Sequence, residues 1–201
     1  MRMIEDIAEL EALYGVVSEP ARVKVARRMT PAYRKWIMAS RYCILSTVGP
    51  EGADGSPRGD DGPVVRELDE TTLAMPDWRG NQRIDSLRNI VRDGRAALMF
   101  MVPGVNIVVR VNARARLTDD EALCGSFEQK GKRPRTVILF DIDEIYAQCP
   151  KAMIRSWLWT AGDEGEGLPT LGDMLRDATG GAYDGAAFDR DYVPDDQAKM
   201  W

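Results

Sequence analysis

The most regular pattern along the chain is the alternation in "NIVVRVNARARL", residues 106–117. Ile107, Val109, Val111, Ala113, Ala115 and Leu117 share one face of an extended chain. Val108, Arg110, Asn112, Arg114 and Arg116 share the other, so this strand covers a core on one side only. Further strand runs are "RYCILSTV" (41–48), "VVREL" and "TTLAMPD" around a "DE" turn, "RAALMFMV" after the turn "RDG", and "RTVILFDIDEIYAQC", apolar enough to be central. Helices are expected at 4–14 and at "TPAYRKWIMAS", where Thr30 caps and Pro31 takes the first helical position. A third starts at Arg83, with Ile84, Leu87 and Val91 at i, i+3 and i+7. "TDDEALCGSFEQKG" reads as a helix capped by Thr118; "PKAMIRSWLW" and "LGDMLRDAT" are also helical. "GVVSEPARVK" reads as a polar linker, "GPEGADGSPRGDDGP" as a turn region, and the last twenty residues as an extended arm.

Strands here rarely alternate with long crossover helices, which disfavours a doubly wound parallel sheet. The expected fold is mainly β, of the α+β class: a small closed antiparallel barrel with flanking helices. At 201 residues the chain suffices for one substantial domain with appendages.

Composition narrows the chemistry. No apolar run approaches the ~18 residues of a membrane span, and the acidic start "MRMIEDIAELEALYG" has no signal-peptide core; a cytoplasmic protein is expected. A net charge of −5 argues against nucleic acid as a partner. Cys43, Cys124 and Cys149 are widely spaced and read as free thiols in a reducing compartment. Histidine is absent altogether, which removes serine–histidine and cysteine–histidine pairs and histidine-ligated zinc. No metal site is expected, and a borrowed cofactor is the natural source of chemistry.

"PDWRGNQRIDSLRNI" (76–90) points to one. Arg79 and Arg83 flank Gly80 and Asn81 just ahead of a helix, where the helix dipole disfavours cations. An anion between them resolves the conflict. Arginine forks, the Ser86 hydroxyl, the Asn81 amide and a glycine allowing close backbone approach suit a phosphate monoester. The competing reading is a solvated loop whose arginines pair with Asp77 and Asp85.

Together, "RYCILSTVGPEGADGSPRGD", "LAMPDWRGNQRIDSLRNI", "ALMFMVPG", "NIVVRVNARARL" and "CPKAMIRSWLW" resemble the pyridoxamine 5′-phosphate oxidase-like, FMN-binding split-barrel family. The resemblance is nearest to a branch with an S-P-R-G-D turn and a G-N-x-R-x-D-S-L-x-N-I helix. It implies a six-stranded split barrel at 30–160, with a helix and linker at 1–29. Residues 161–201 then form a helix and arm in the same globule or dimer interface. It also implies a homodimer with FMN in clefts shared by two subunits. In it the strand at Arg58, Gly59 and Asp60 lies beside the isoalloxazine ring; a turn salt bridge from Arg58 to Asp60 or Asp61 is the alternative. Asn106 matches a position that reaches the flavin from the partner subunit. Lys151 and Arg155, at i and i+4, can address one anion, and Trp157 or Trp159 can cover the ring. The cofactor-binding set expected is thus Arg58, Gly59, Asp60, Trp78, Arg79, Asn81, Arg83, Ser86, Asn106, Lys151, Arg155 and Trp157, with no catalytic residue assigned.

Pyridoxamine phosphate oxidases grip the substrate phosphate partly with a late arginine and histidine. With no histidine and no such clamp after Trp159, this chain is not expected to oxidise pyridoxamine phosphate. The expected function is an FMN-dependent oxidoreductase exchanging hydride with a small substrate or nicotinamide donor. The rivals are a flavin carrier or sensor without turnover, and a split-barrel dimer holding a deazaflavin or haem-type ligand.

Overall fold

In the computed structural model, which describes residues 1–192 and 200, the apolar alternations become seven strands. These are β1 (Tyr42–Gly49), β2 (Gly52–Gly59), β3 (Arg66–Asp69), β4 (Thr72–Pro76), β5 (Arg95–Met101), β6 (Val108–Thr118) and β7 (Val137–Gln148). Every pairing is antiparallel, in the order β2-β1-β5-β6-β7-β4-β3. The fold is α+β as expected, but the sheet has seven strands rather than six and is not hydrogen-bonded into a closed ring. It still wraps around one core. Cys43 and Leu45 of β1 pack in the same buried cluster as Leu73 and Met75 of β4, from opposite halves of the strand order. Phe100, Val109, Val111, Phe140 and Ile145 fill the space between.

The unexpected strand is β2, which the sequence presents as a turn. It has almost no apolar residue to bury and pairs with β1 alone, through the backbone (Thr47 opposite Asp54, Ile44 opposite Pro57, Cys43 opposite Arg58). Pro57 lacks an N–H but sits on an edge strand, where the ladder tolerates it.

The helices are α1 (Ile7–Tyr14), α2 (Glu19–Val23), α3 (Pro31–Ile37), α4 (Asp85–Arg92), α5 (Glu121–Ser126), α6 (Lys151–Arg155), α7 (Leu171–Ala178) and α8 (Gly185–Asp191). Thr30 caps α3, accepting from the Tyr33 N–H at 3.3 Å. Asp120 caps α5, because Thr118 is already the last residue of β6. The presumed linker contains α2, and the presumed arm contains α8; the arm's residues 193–199 and 201 lie outside the described residues. Gly172 of α7 meets Gly185 of α8 so closely that a Cβ on either would collide with the other's backbone.

Helix α4 is rotated from the expected face. Ile84 is its N-cap, in the left-handed conformation (φ 53°), and is exposed, as is Val91. Ser86, Asn89 and Ile90 are the buried residues, with Leu87 packed against the core. A polar residue can face inward here because Asn89 Nδ2 donates to Thr47 Oγ1 of β1 at 3.2 Å.

The cationic face of β6 is neutralised within the chain, mostly by its neighbour β7. Arg116 donates twice to Asp141, at 3.0 and 2.9 Å, and Asn112 Nδ2 donates to Glu144 at 2.6 Å. Arg110 lies 5.3 Å from the centre of the Tyr146 ring. These arginines therefore do not require acids from a second subunit. No helix among the described residues is long and apolar enough to cross a membrane.

Candidate functional site

A cleft of about 1280 Å³ opens where the two ends of the sheet approach each other. Its floor is β2 and the turn after it, from Asp54 to Asp61. One wall runs from Met75 through the 77–84 loop into the first turn of α4, and the other is the loop 130–136 before β7. Arg58 Nη1 donates to Asp77 Oδ1 at 2.5 Å across the split, in a pair whose side chains are about one-fifth exposed (18% and 20%). Asp60 is the second tie: it accepts from Trp78 Nε1 and from Gln129 Nε2, each at 2.7 Å. Asp60 therefore holds both walls to the floor.

At the α4 end the expected phosphate residues do come together. Trp78, Arg79, Asn81, Arg83 and Ser86 all line the cleft, with Arg58, Gly59 and Asp60 on its floor. Asn81 Oδ1 accepts from the Arg83 N–H at 3.1 Å, turning the chain into the helix. Arg83 Nε donates to Asp85 at 2.8 Å, and that carboxylate raises the guanidinium pKa above its ordinary value. The pairing foreseen as the competing reading therefore exists for Arg83. Arg83 nevertheless remains mostly exposed (77%), so it keeps donors for a ligand. Arg79 makes no hydrogen bond or ion pair among the described residues. Ser86 donates to Asp54 of the floor.

Three further features leave polar groups of the cleft without partners. No side chain caps α4, so the first backbone N–H groups of the helix are left to solvent or ligand. The edge strand β2 presents backbone groups that no strand pairs on its outer side. Arg58 Nε and Thr136 Oγ1, both of cleft residues, are buried without a partner.

The other four expected residues lie elsewhere on the chain. Asn106 precedes β6; Lys151 and Arg155 are exposed on α6; Trp157 follows at 68% exposure in a left-handed conformation (φ 55°). Trp159 Nε1 donates to the Val105 carbonyl at 3.1 Å, which fastens this turn beside the loop that holds Asn106. None of the four lines the cleft of its own chain. Sequence reasoning missed the opposite wall, Lys130, Lys132, Arg133, Arg135 and Thr136. The signal was present as "KGKRPR", four cations in six residues.

No curated protein sequence matches the chain. Among solved structures, a variant of HupZ from Group A Streptococcus is 16% identical, covering 59% of this chain and 98% of its own, with a TM-score of 0.50. A putative pyridoxamine 5′-phosphate oxidase from Lactobacillus delbrueckii is 21% identical over 60% of this chain and 95% of its own (TM-score 0.47). An FMN-binding protein from Syntrophomonas wolfei is 14% identical over 58% and 88% (TM-score 0.44). The first shares the fold; the other two are weaker likenesses. The sequence profile of the pyridoxamine 5′-phosphate oxidase family matches residues 29–149, more than half of the chain and all seven strands of the sheet. The chain belongs to that family.

Proposed function

We propose that this protein binds FMN and exchanges hydride between it and a small substrate or a nicotinamide donor. The observation that carries the reading is the uncapped start of α4, set in the cleft beside Arg79, Arg83 and Ser86. A doubly charged terminal phosphate needs that combination of free N–H groups, guanidinium forks and a hydroxyl. When bound, FMN supplies the hydride chemistry itself.

The residues of the chain bind and orient. The α4 start, Arg79 and Arg83 hold the phosphate, and Ser86 turns its hydroxyl from Asp54 toward it. The outer edge of β2, Gly55 to Gly59, offers backbone donors and acceptors to the heteroatom edge of the ring. Arg58, fixed by Asp77, sets a positive charge beside that edge and favours the reduced, anionic flavin. Trp78 and the cleft walls shield one face from water. The chain has no histidine, so protons reach the reacting ligand from solvent or other groups.

In the same reading Asn106, Lys151, Arg155 and Trp157 act on the flavin of a second subunit. Ile107, Ile154, Trp157 and Leu158 are all exposed around the α6 turn, an apolar patch that a homodimer would cover. Sedimentation at low micromolar concentration is expected to give a dimer; a monomer carrying one FMN per chain contradicts the shared site.

The test of the flavin assignment is mass spectrometry of ligand released from the purified protein. FMN is expected, with absorbance bands near ~370 and ~450 nm. FAD, or no flavin after reconstitution, overturns the proposal. Bleaching of the bands by NADH or NADPH indicates turnover; flavin that neither reduces identifies another donor or a carrier.

A further inference from the structure

Helices α7 and α8 lie beyond the residues that define the family and are bound to each other from within. Gly172 and Gly185 bring the two backbones into contact, and Asp189 accepts from Thr170 Oγ1 at 2.5 Å and from the Gly172 N–H at 2.8 Å. Thr170 and Asp173 form a capping box at the start of α7. Among the described residues, every hydrogen bond and ion pair of 163–192 stays inside that segment. Yet the buried residues of the two helices are those two glycines alone. Leu168, Leu171, Met174, Tyr183 and Tyr192 are exposed. Helices of eight and seven residues that bury no side chain are not stable in water by themselves; their stability comes from packing on another surface.

Charge says which surface. Residues 161–192 carry eight carboxylates and two arginines. Both arginines are already paired inside the hairpin, Arg176 with Asp173 and Asp177, and Arg190 with Asp191. The opposite surface lies at the other end of the chain, where residues 20–50 hold seven cations and no carboxylate. Arg28 pairs with Glu70 and Arg34 with Glu67. Arg22, Lys24, Arg27, Lys35 and Arg41 have no carboxylate partner among the described residues. This basic segment is fixed on the sheet: Ala26 and Ile145 exchange backbone bonds at 2.9 and 2.7 Å, and the Tyr33 hydroxyl donates to the Lys24 carbonyl at 2.6 Å. Val23 and Val25 stand exposed between the cations.

We propose that the α7–α8 hairpin docks on the Arg22–Arg27 face of a second copy of this chain, which returns its own hairpin in exchange. Each surface supplies what the other lacks: exposed apolar side chains rimmed by unpaired charge of the opposite sign. Within one chain both surfaces stay open, so the complement comes from another copy. A two-fold axis then makes the contact twice and closes the assembly. The clasp rests on the homodimer of the proposed function, not on its flavin, and it uses a surface apart from the α6 patch.

Sedimentation equilibrium of the full chain, with melting temperature and flavin content measured on each sample, tests the clasp. The variants are Arg22→Glu/Arg27→Glu, Glu164→Arg/Glu166→Arg, and the two combined. A control joins Arg22→Glu/Arg27→Glu to Glu5→Arg/Glu11→Arg, which restores the net charge away from the hairpin. Either reversal alone sets like charges against each other and should raise the dimer dissociation constant at least about tenfold. The combination should return it to within about threefold of wild type, which also shows that the reversed chains fold; the control should not. A dimer indifferent to both reversals, equal rescue by the control, or a monomeric wild type overturns the clasp. Melting temperatures lowered by each reversal and restored by the combination, with association unchanged, assign the hairpin to its own chain's basic face and also overturn it. Charge-dependent dimers that hold no FMN overturn the flavin reading alone; FMN held by dimers indifferent to these charges overturns the clasp alone.

Discussion

Gly49→Ala tests how the barrel positions the helix that opens the phosphate site. Gly49 ends β1 directly under α4. A Cβ there would lie 2.2 Å from Asn89 Oδ1, 2.9 Å from its Cγ and 3.4 Å from its Cα. The first two distances are far inside van der Waals contact, and the third leaves little room for the helix backbone. Asn89 is buried and short, so it escapes only by leaving Thr47, its partner at 3.2 Å. Losing that buried bond costs ~1–3 kcal/mol, and forcing a carbon into a packed site costs about 1–3 kcal/mol. A total of about 4 kcal/mol corresponds to a drop in melting temperature of roughly 8–16 °C for a chain of this length. FMN affinity should fall as well, because α4 is pushed off the sheet at its core-facing side. The assay is thermal melting with a parallel FMN titration. Asn89→Ala removes the obstructing atoms, so Gly49→Ala should cost at least ~1 kcal/mol less in that background. A Gly49→Ala protein as stable as wild type, or fully additive single and double variants, would refute the packing argument.

Other consequences can be checked separately. Arg58→Ala and Asp77→Ala should each destabilise by about 2 kcal/mol, with the double variant well short of their sum, because each single change leaves a largely buried charge unpaired across the split; denaturant melts of the cycle measure this. Arg83→Ala should weaken FMN about thirtyfold, from ~2 kcal/mol for a charge-assisted bond to phosphate, while Arg92→Ala, paired with Glu51 at the far end of α4, should change it less than threefold. Ellman's reagent should label one thiol of native protein quickly: Cys149 is exposed, with its pKa lowered first by the Lys151 backbone N–H, whereas burial keeps Cys124 protonated and pushes Cys43 up to about 12. Arg95, followed by its own backbone N–H, holds Asp93 down at about 2, so this carboxylate stabilises the fold above its unfolded pKa near ~3.9 and ceases to as pH falls through about 2; the melting-temperature gap between wild type and Asp93→Asn should be full at pH 6 and close on acidification.

Strands with strong alternation, β1, β5, β6 and β7, are legible in the sequence because burial on one face imposes period two. Strand β2 is not, since an edge strand held by backbone bonds needs no apolar residue and carries its information in the partner's register. The start of α4 is hidden for a related reason: the helical period makes Ile84 the first apolar helical position, yet it stands outside the helix as a left-handed cap. Eight expected cofactor residues meet in one cleft because they lie on two continuous segments, 58–60 and 78–86, joined by Arg58–Asp77 and Asp60–Trp78. The "KGKRPR" wall is distant in sequence and brought in by Gln129 and Thr136, contacts that no local pattern announces. Likewise the arginines of β6 find acids on β7 through cross-strand register, which a single strand's pattern does not reveal.

The central claim is that the α4 end of the cleft holds a terminal phosphate on a flavin. Comparing FMN with riboflavin in the same equilibrium titration removes only that phosphate. Two charge-assisted bonds at ~1.5–3 kcal/mol each make the difference at least about a hundredfold. FMN binding a hundredfold or more tighter than riboflavin, with the gap shrinking in Arg83→Ala, is the predicted result; equal affinity for the two flavins would contradict the account.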